Sequence, residues 1–106
     1  MDKALGLIGM AKRAGRLCGG ADMVEDAVRS GRARLVVIAS DAAKNSKKSI
    51  TDCCVYYKVK YLIYSDKEQL GKAIGADNTA AVSVNDEGLA EAVSNRIAEA
   101  ITERKG

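Results

Sequence analysis

Residues Leu35-Val36-Val37-Ile38-Ala39 form a continuous apolar run, rich in β-branched side chains and too short for a helix. With no polar residue to turn toward water, a strand of this kind has to be covered on both faces, so it should be central in a sheet flanked by helices. The rest of the chain offers those helices. Residues 2–14 carry Ala4, Leu7, Ile8 and Ala11 at helical spacing, with Asp2 placed to cap the start and Gly15 to end it. A second helix is expected over residues 21–30, burying Val24, Ala27 and Val28 before Gly31.

After a polar loop, Asn45 or Ser46 can cap a third helix whose buried stripe would be Ile50, Cys53, Cys54 and Tyr57. Residues 61–64 read as a strand. Ser65 and Glu68 fit a capping box that opens a short helix ending at Gly75, and residues 80–84 read as another strand. The last helix should start near Asp86, with Leu89, Val93, Ile97 and Ile101 inward and Glu91, Arg96, Glu99 and Glu103 outward. Short buried strands alternating with helices imply an α/β fold, a three-layer α/β/α sandwich with a small mixed sheet of about four strands. At 106 residues, with no proline and no repeat or low-complexity tract, one domain spanning residues 1–106 is expected.

Composition narrows the chemistry. The chain has no histidine, so general acid-base catalysis loses its commonest agent and a metal site would need carboxylate ligands. Cys18, Cys53 and Cys54 are odd in number and lack CxxC spacing, which points to free thiols rather than a disulfide framework. No cofactor is expected. No apolar run approaches the roughly 18 residues needed to span a bilayer, and the first residues lack a signal-peptide layout, so a cytoplasmic protein without membrane contact is expected. The net charge of +3 is compatible with a nucleic-acid partner but is too small to require one.

The local feature richest in chemistry is Leu17-Cys18-Gly19-Gly20-Ala21-Asp22, read as a short strand, a glycine turn and a helix start. Such a turn can present bare backbone amides to an anion. In sequence it is flanked by Lys12, Arg13 and Arg16 on one side and by Arg29, Arg32 and Arg34 on the other, which suggests RNA. Gly15 and Gly20 have phosphate-loop spacing, but Ala21-Asp22 stand where the Lys-Ser/Thr pair would be needed, so nucleotide hydrolysis is not expected. The bland alternative is that Gly19 and Gly20 merely allow a sharp connection. Asp22, Glu25 and Asp26 would repel phosphate, yet acidic residues are also what a helix N-terminus favours through its dipole.

Lys44-Asn45-Ser46-Lys47-Lys48 places three cations and several hydrogen-bond donors at a helix entry, a segment able to grip phosphates or simply to be solvated. The four aromatics Tyr56, Tyr57, Tyr61 and Tyr64 mostly match core positions. Without Phe or Trp a base-stacking sheet is not expected, and any RNA contacts should come from loops and a helix end.

Three segments resemble a known family. They are residues 28–41 (VRSGRARLVVIASD), residues 70–75 (LGKAIG) followed by Ala80-Ala81-Val82, and residues 6–15 (GLIGMAKRAG). Together they resemble the L-seven-Ae/L-thirty-e ribosomal protein family over nearly the whole chain, most closely its small bacterial, YlxQ-like members. The resemblance implies a non-enzymatic fold that binds kink-turn or related structured RNA, such as ribosomal RNA, with ribosomal or translation-associated proteins as further partners. A monomer is expected.

In family members that bind kink-turns, a Gly-x-Asn/Lys-Glu/Gln-x-x-Lys pattern opens the second helix and reads tandem sheared G·A pairs. Aligned on Ala27-Val28, that glycine falls on Gly20, and Asp22, Met23 and Asp26 stand at the polar and lysine positions. A second RNA-facing loop would carry Ala76, Asp77, Asn78 and Thr79, where strong binders are more apolar. The candidate RNA-binding residues are therefore Gly19, Gly20, Ala21, Asp22, Met23, Asp26, Lys44, Asn45, Lys47, Lys48, Asp77, Asn78 and Thr79, with weakened or altered base readout. The alternative is a protein-interaction module on the same fold, its acidic Asp22, Glu25 and Asp26 meeting a basic partner.

Overall fold

The apolar run at residues 35–38 is an interior strand, and every residue in it is buried. A computed structural model describes residues 2–105, with side-chain environments for residues 2–102. The element order is α1 (Lys3–Arg13), β1 (Leu17–Gly19), α2 (Ala21–Arg29), β2 (Leu35–Ile38), α3 (Lys44–Tyr57), β3 (Tyr61–Ile63), α4 (Lys67–Ala73), β4 (Ala81–Val84) and α5 (Glu87–Lys105). The four strands form one mixed sheet in the order β1-β4-β2-β3. β4 runs antiparallel to both β1 and β2, with Val84 opposite Leu17 and Leu35, while β2 and β3 are parallel, with Val36 opposite Tyr61. That parallel pair needs a crossover, which α3 provides.

The helices fall into two groups, α1 with α4 and α5, and α2 with α3. Both interior strands, β2 and β4, are buried at every position, as a sheet covered on both faces requires. The fold is therefore the expected α/β/α sandwich. Ile8, Val24, Val28, Ile50, Leu70, Val93 and Ile97 fill the two helix-sheet layers.

Several local expectations need correction. Asp2 does cap α1, accepting from the Leu5 amide at 2.7 Å. In α3, however, Ala43 occupies the N-cap position and no side chain caps the helix, so neither Asn45 nor Ser46 has that role. α4 is capped by Asp66, whose Oδ1 accepts from the Gln69 amide at 2.8 Å. Ser65 instead adopts a left-handed conformation (φ 63°), which leaves it outside the helix start. The stripe expected on α3 is narrower than proposed, since Ile50 and Cys54 are buried but Cys53 is only half-buried and Tyr57 is exposed.

The tyrosines correct the sequence reading most. Tyr64 is buried and its hydroxyl donates to Asp2 at 2.6 Å, but Tyr56, Tyr57 and Tyr61 are exposed. β3 is an edge strand and α3 packs only one side, so residues near both lack a second covering layer. On α5, Val93 and Ile97 are buried, Leu89 is half-buried and Ile101 is exposed as the helix outruns the sheet, while Glu91, Arg96 and Glu99 are exposed and Glu103 lies outside the described side chains.

Candidate nucleic-acid interface

The register fixes which loops meet. The C-terminal ends of β1, β2 and β3 and the N-terminal end of β4 lie at one end of the sheet, since Gly19 is opposite Val82 and Ile38 is opposite both Ala81 and Ile63. That end, the upper pole, therefore gathers the β1–α2 turn, the β2–α3 loop and the start of α3, the β3–α4 loop, and the α4–β4 loop. Ligand sites of open α/β sheets occur at the carboxyl ends of strands for this topological reason.

Gly20 makes the turn into α2 with φ 99° and ψ 146°, a backbone conformation open to glycine and strained for other residues. Its own N–H donates to the Ala81 carbonyl at 2.9 Å, which extends the β1–β4 pairing by one residue. No side chain caps α2, so the amides of Ala21, Asp22 and Met23 form a bare helix N-terminus. α3 also begins without a side-chain cap, at Lys44, Asn45 and Ser46. Gly19 packs so tightly that a Cβ would lie 2.6 Å from Ile74 Cδ1, which ties the turn to the end of α4.

The remaining loops at this pole are joined by hydrogen bonds. The Ser40 amide and hydroxyl both donate to the Ser65 carbonyl, at 2.9 and 2.7 Å. The Lys67 amide donates to Asp41 Oδ1 at 2.8 Å, and the Lys67 carbonyl in turn accepts from the Thr79 amide at 3.0 Å. Gly71 lets the 76–78 segment press onto α4, where a Cβ would fall 1.8 Å from the Asp77 carbonyl oxygen. None of Ser40, Asp41, Gly71 and Ile74 was singled out from the sequence as a site-building residue. All four lie in the segments that resemble the family, which is the signal that could have marked them, but their contacts at this pole are set by the tertiary fold.

The structure sorts the expected site residues. Gly19, Gly20, Ala21, Asp22, Met23, Asp26, Lys44, Asn45, Lys47, Lys48, Asp77, Asn78 and Thr79 are on or beside this pole, but they are not equally available. Met23 is 51% exposed, and Lys44, Asn45 and Asn78 are also exposed. Lys47 Nζ donates to the Ser40 carbonyl, Lys48 pairs with Asp52 at 3.2 Å, and Thr79 is buried with its hydroxyl on the Asp77 carbonyl. Glu25 accepts from the Ser49 hydroxyl at 3.0 Å and faces Arg29 at 3.6 Å, so it braces α2 against α3. Asp26 pairs with Arg29 at 3.0 Å.

The flanking cations do not surround the glycine turn in space. Arg29, Arg32 and Arg34 follow α2 to the far end of β2, and Arg16 precedes β1, where its carbonyl accepts from the Asn85 amide at 2.8 Å. All four belong to the opposite, lower pole, as does the end of α1 that carries Lys12 and Arg13. A strand or helix of ordinary length carries sequence neighbours to the far side of the sheet, which the linear reading could not register.

The thiols are packing groups. Cys54 is fully buried, and burial, with Cys53 and Glu25 nearby, pushes its thiol up to about 11. Burial and Glu25 raise the Cys53 thiol as well. Both shifts disfavour the thiolate, the reactive form, at neutral pH. Among the described residues no group of three or more His, Cys, Asp or Glu side chains could hold a metal ion, and no helix is long and apolar enough to cross a membrane.

Residues 2–94 match the model of the ribosomal protein L7Ae/L30e/S12e/Gadd45 family. The chain belongs to this family. It is 40% identical over 84 residues to the RNA-binding protein YlxQ of Bacillus subtilis, covering 79% of this chain and 84% of that one. It is also 32% identical over 104 residues to the large ribosomal subunit protein eL8 of Thermoplasma volcanium, covering 97% and 86%. Among solved structures, a Bacillus halodurans protein of unknown function superposes with a TM-score of 0.87 at 33% identity, covering 92% of this chain and 98% of that one. A 15.5kD RNA binding protein of Giardia lamblia superposes with a TM-score of 0.74 at 26% identity, covering 89% and 84%. Membership of the family accords with the small bacterial, YlxQ-like resemblance read from the sequence.

Proposed function

We propose that this family member is a non-enzymatic, cytoplasmic RNA-binding protein of the ribosomal type, one domain that docks kink-turn or related structured RNA on its upper pole. The observation that carries the reading is the pair of uncapped helix N-termini, those of α2 and α3, side by side at that pole. The N-termini of α1 and α4 are closed by Asp2 and Asp66. Bare amides backed by the positive end of a helix dipole suit phosphate oxygens. Lys44 adds an ammonium with no carboxylate partner among the described residues, Met23 an apolar surface for a base, and Asn45 and Asn78 amide donors and acceptors. The RNA-binding names of the Bacillus and Giardia relatives support the same partner.

Base readout is altered because Asp26 stands where the family pattern has lysine. Its pairing with Arg29 offsets part of the repulsion that a bare carboxylate would exert on RNA. Asp26→Lys would release Arg29 and place a cation on the RNA side. Affinity for a kink-turn RNA should rise by about 1 to 3 kcal/mol where the new ammonium reaches a guanine edge, and rise less for a plain duplex. Titrating both RNAs at several salt concentrations, with parent and variant, tests the reading. A parent that prefers the kink-turn supports it. If neither parent nor folded variant distinguishes the two RNAs, the pole is no kink-turn site, and exposed Asp22, Asp26 and Asp77 then favour a basic protein partner.

A further inference from the structure

The charges of the chain are unevenly distributed between its two ends. At the upper pole Lys44, Lys47, Lys48, Lys67 and Lys72 are interspersed with Asp22, Glu25, Asp26, Asp41, Asp66, Glu68 and Asp77. At the lower pole, Arg16 precedes β1, Arg32 and Arg34 lead into β2, and Lys58 and Lys60 lead into β3, while Asp86, Glu87 and Glu91 follow the end of β4 as the acids of that pole. All five cations are exposed, and none has a carboxylate within ion-pair distance among the described residues. Lys12, Arg13 and Arg29 are accounted for as cations in the last turns of α1 and α2, where the helix dipole favours them. The other five lie outside the helices.

Their arrangement follows the sheet. Arg16, Arg34 and Lys60 stand just before β1, β2 and β3, so the order β1-β4-β2-β3 spreads them along a line about 14 Å long at roughly 4.8 Å per strand. Arg32 bridges the gap, with its guanidinium reaching Ser30 Oγ at 2.9 Å and the Cys18 sulfur at 4.0 Å. Beside this line a groove of about 380 Å³ opens between the ends of α2 and α3, lined by Arg34, Tyr57, Lys58 and Lys60 and by Arg29, whose charge is already paired with Asp26 and Glu25. On the α5 side, Arg34 and Lys60 also line a second depression that they share with Glu87 and Glu91, so the open phosphate path lies on the α2–α3 side. A linear track of cations with no enclosing cage fits a repeating anion better than a single small phosphate.

We propose that the lower pole, along Arg16, Arg32, Arg34, Lys58 and Lys60, is a second RNA contact that grips the phosphodiester backbone, so that one chain joins two RNA segments. The upper pole would select a structured element, and the lower pole would hold a neighbouring duplex without reading its sequence. The proposal rests on the RNA-binding reading, though not on kink-turn preference.

The test immobilises a kink-turn RNA, loads the full chain, and adds a labelled plain RNA duplex. The parent should capture the duplex. The variant combining Arg32→Ala, Arg34→Ala, Lys58→Ala and Lys60→Ala should bind the kink-turn within about threefold of the parent but capture at least about tenfold less duplex. In solution with duplex alone, its salt slope should be shallower by about 0.9 for each phosphate that the variant no longer neutralises. The milder pair Lys58→Ala with Lys60→Ala should show the same trend and guards against misfolding of the larger variant. Unchanged duplex capture and slope in both variants would overturn the proposal, and so would equal loss of both RNAs in the folded pair. Capture of anionic phospholipid vesicles in place of duplex would make the groove a membrane contact instead. Should the parent bind duplex through these residues without preferring a kink-turn, the upper-pole reading fails and with it the joining of two segments, and the lower pole stands as the RNA contact.

Discussion

Ser83 stands in the middle of β4, fully enclosed, and its hydroxyl has no hydrogen-bond partner among the described residues. Its neighbours across the sheet are Cys18 and Val36. A buried hydroxyl without a partner gives up its hydration for nothing, so Ser83→Ala should stabilise the fold by about 1 kcal/mol. Thermal unfolding measures this, and a lower melting temperature would show that the hydroxyl is hydrogen-bonded in solution. Cys54 makes a prediction of the opposite kind. Its folded-state pKa of about 11 lies above the usual value of 9.0, so the folded chain keeps the proton longer than the unfolded chain does. That contribution to stability is fully present below pH 9 and is lost as the pH rises through 11. In denaturant titrations between about pH 8 and 11, the fall in stability should be shallower in Cys54→Val than in the parent. Equal slopes would mean that the thiol is not held neutral by the core.

At the scale of elements, capping shows how far local sequence carries. In residues 65–68 the pattern reads as a capping box, with Ser65 as the cap and Glu68 completing it. The chain path decided otherwise. Ser65 is left-handed, with its carbonyl accepting from both the amide and the hydroxyl of Ser40, so helical geometry begins one residue later, after Asp66. Asp66→Ala should therefore cost about 1 kcal/mol, whereas Ser65→Gly should cost nothing, since glycine tolerates the positive φ. Urea titration of both variants separates the two caps. Gly71 makes a parallel case in α4. In Gly71→Ala the new methyl would meet the Asp77 carbonyl, so the 76–79 segment must move away from the helix. Amide exchange at Thr79, whose N–H is bonded to the Lys67 carbonyl, should quicken relative to the β2 amides. Unchanged exchange would mean that the helix moved instead.

For the whole molecule, the sequence determined the layers and the structure determined the poles. The run at residues 35–38 had to be covered on both faces, and the apolar spacing in α1, α2 and α5 supplied the covering helices, because burial patterns are local consequences of 2.0 and 3.6 residue periods. The glycine turn and the polar start of α3 were equally legible as candidate site segments, since their backbone chemistry belongs to a few adjacent residues. What the sequence could not supply was proximity. Arg29, Arg32 and Arg34 are within about fifteen residues of Gly20 in the chain, yet they end up across the sheet from it, while Ser40, Ser65, Lys67 and Thr79 are drawn together. The exposure of Tyr61 likewise depends on β3 being an edge strand, a property of strand order and not of the strand itself. Secondary structure and core follow from periodicity, but which charges share a surface follows only from how the strands are ordered and which way each one runs.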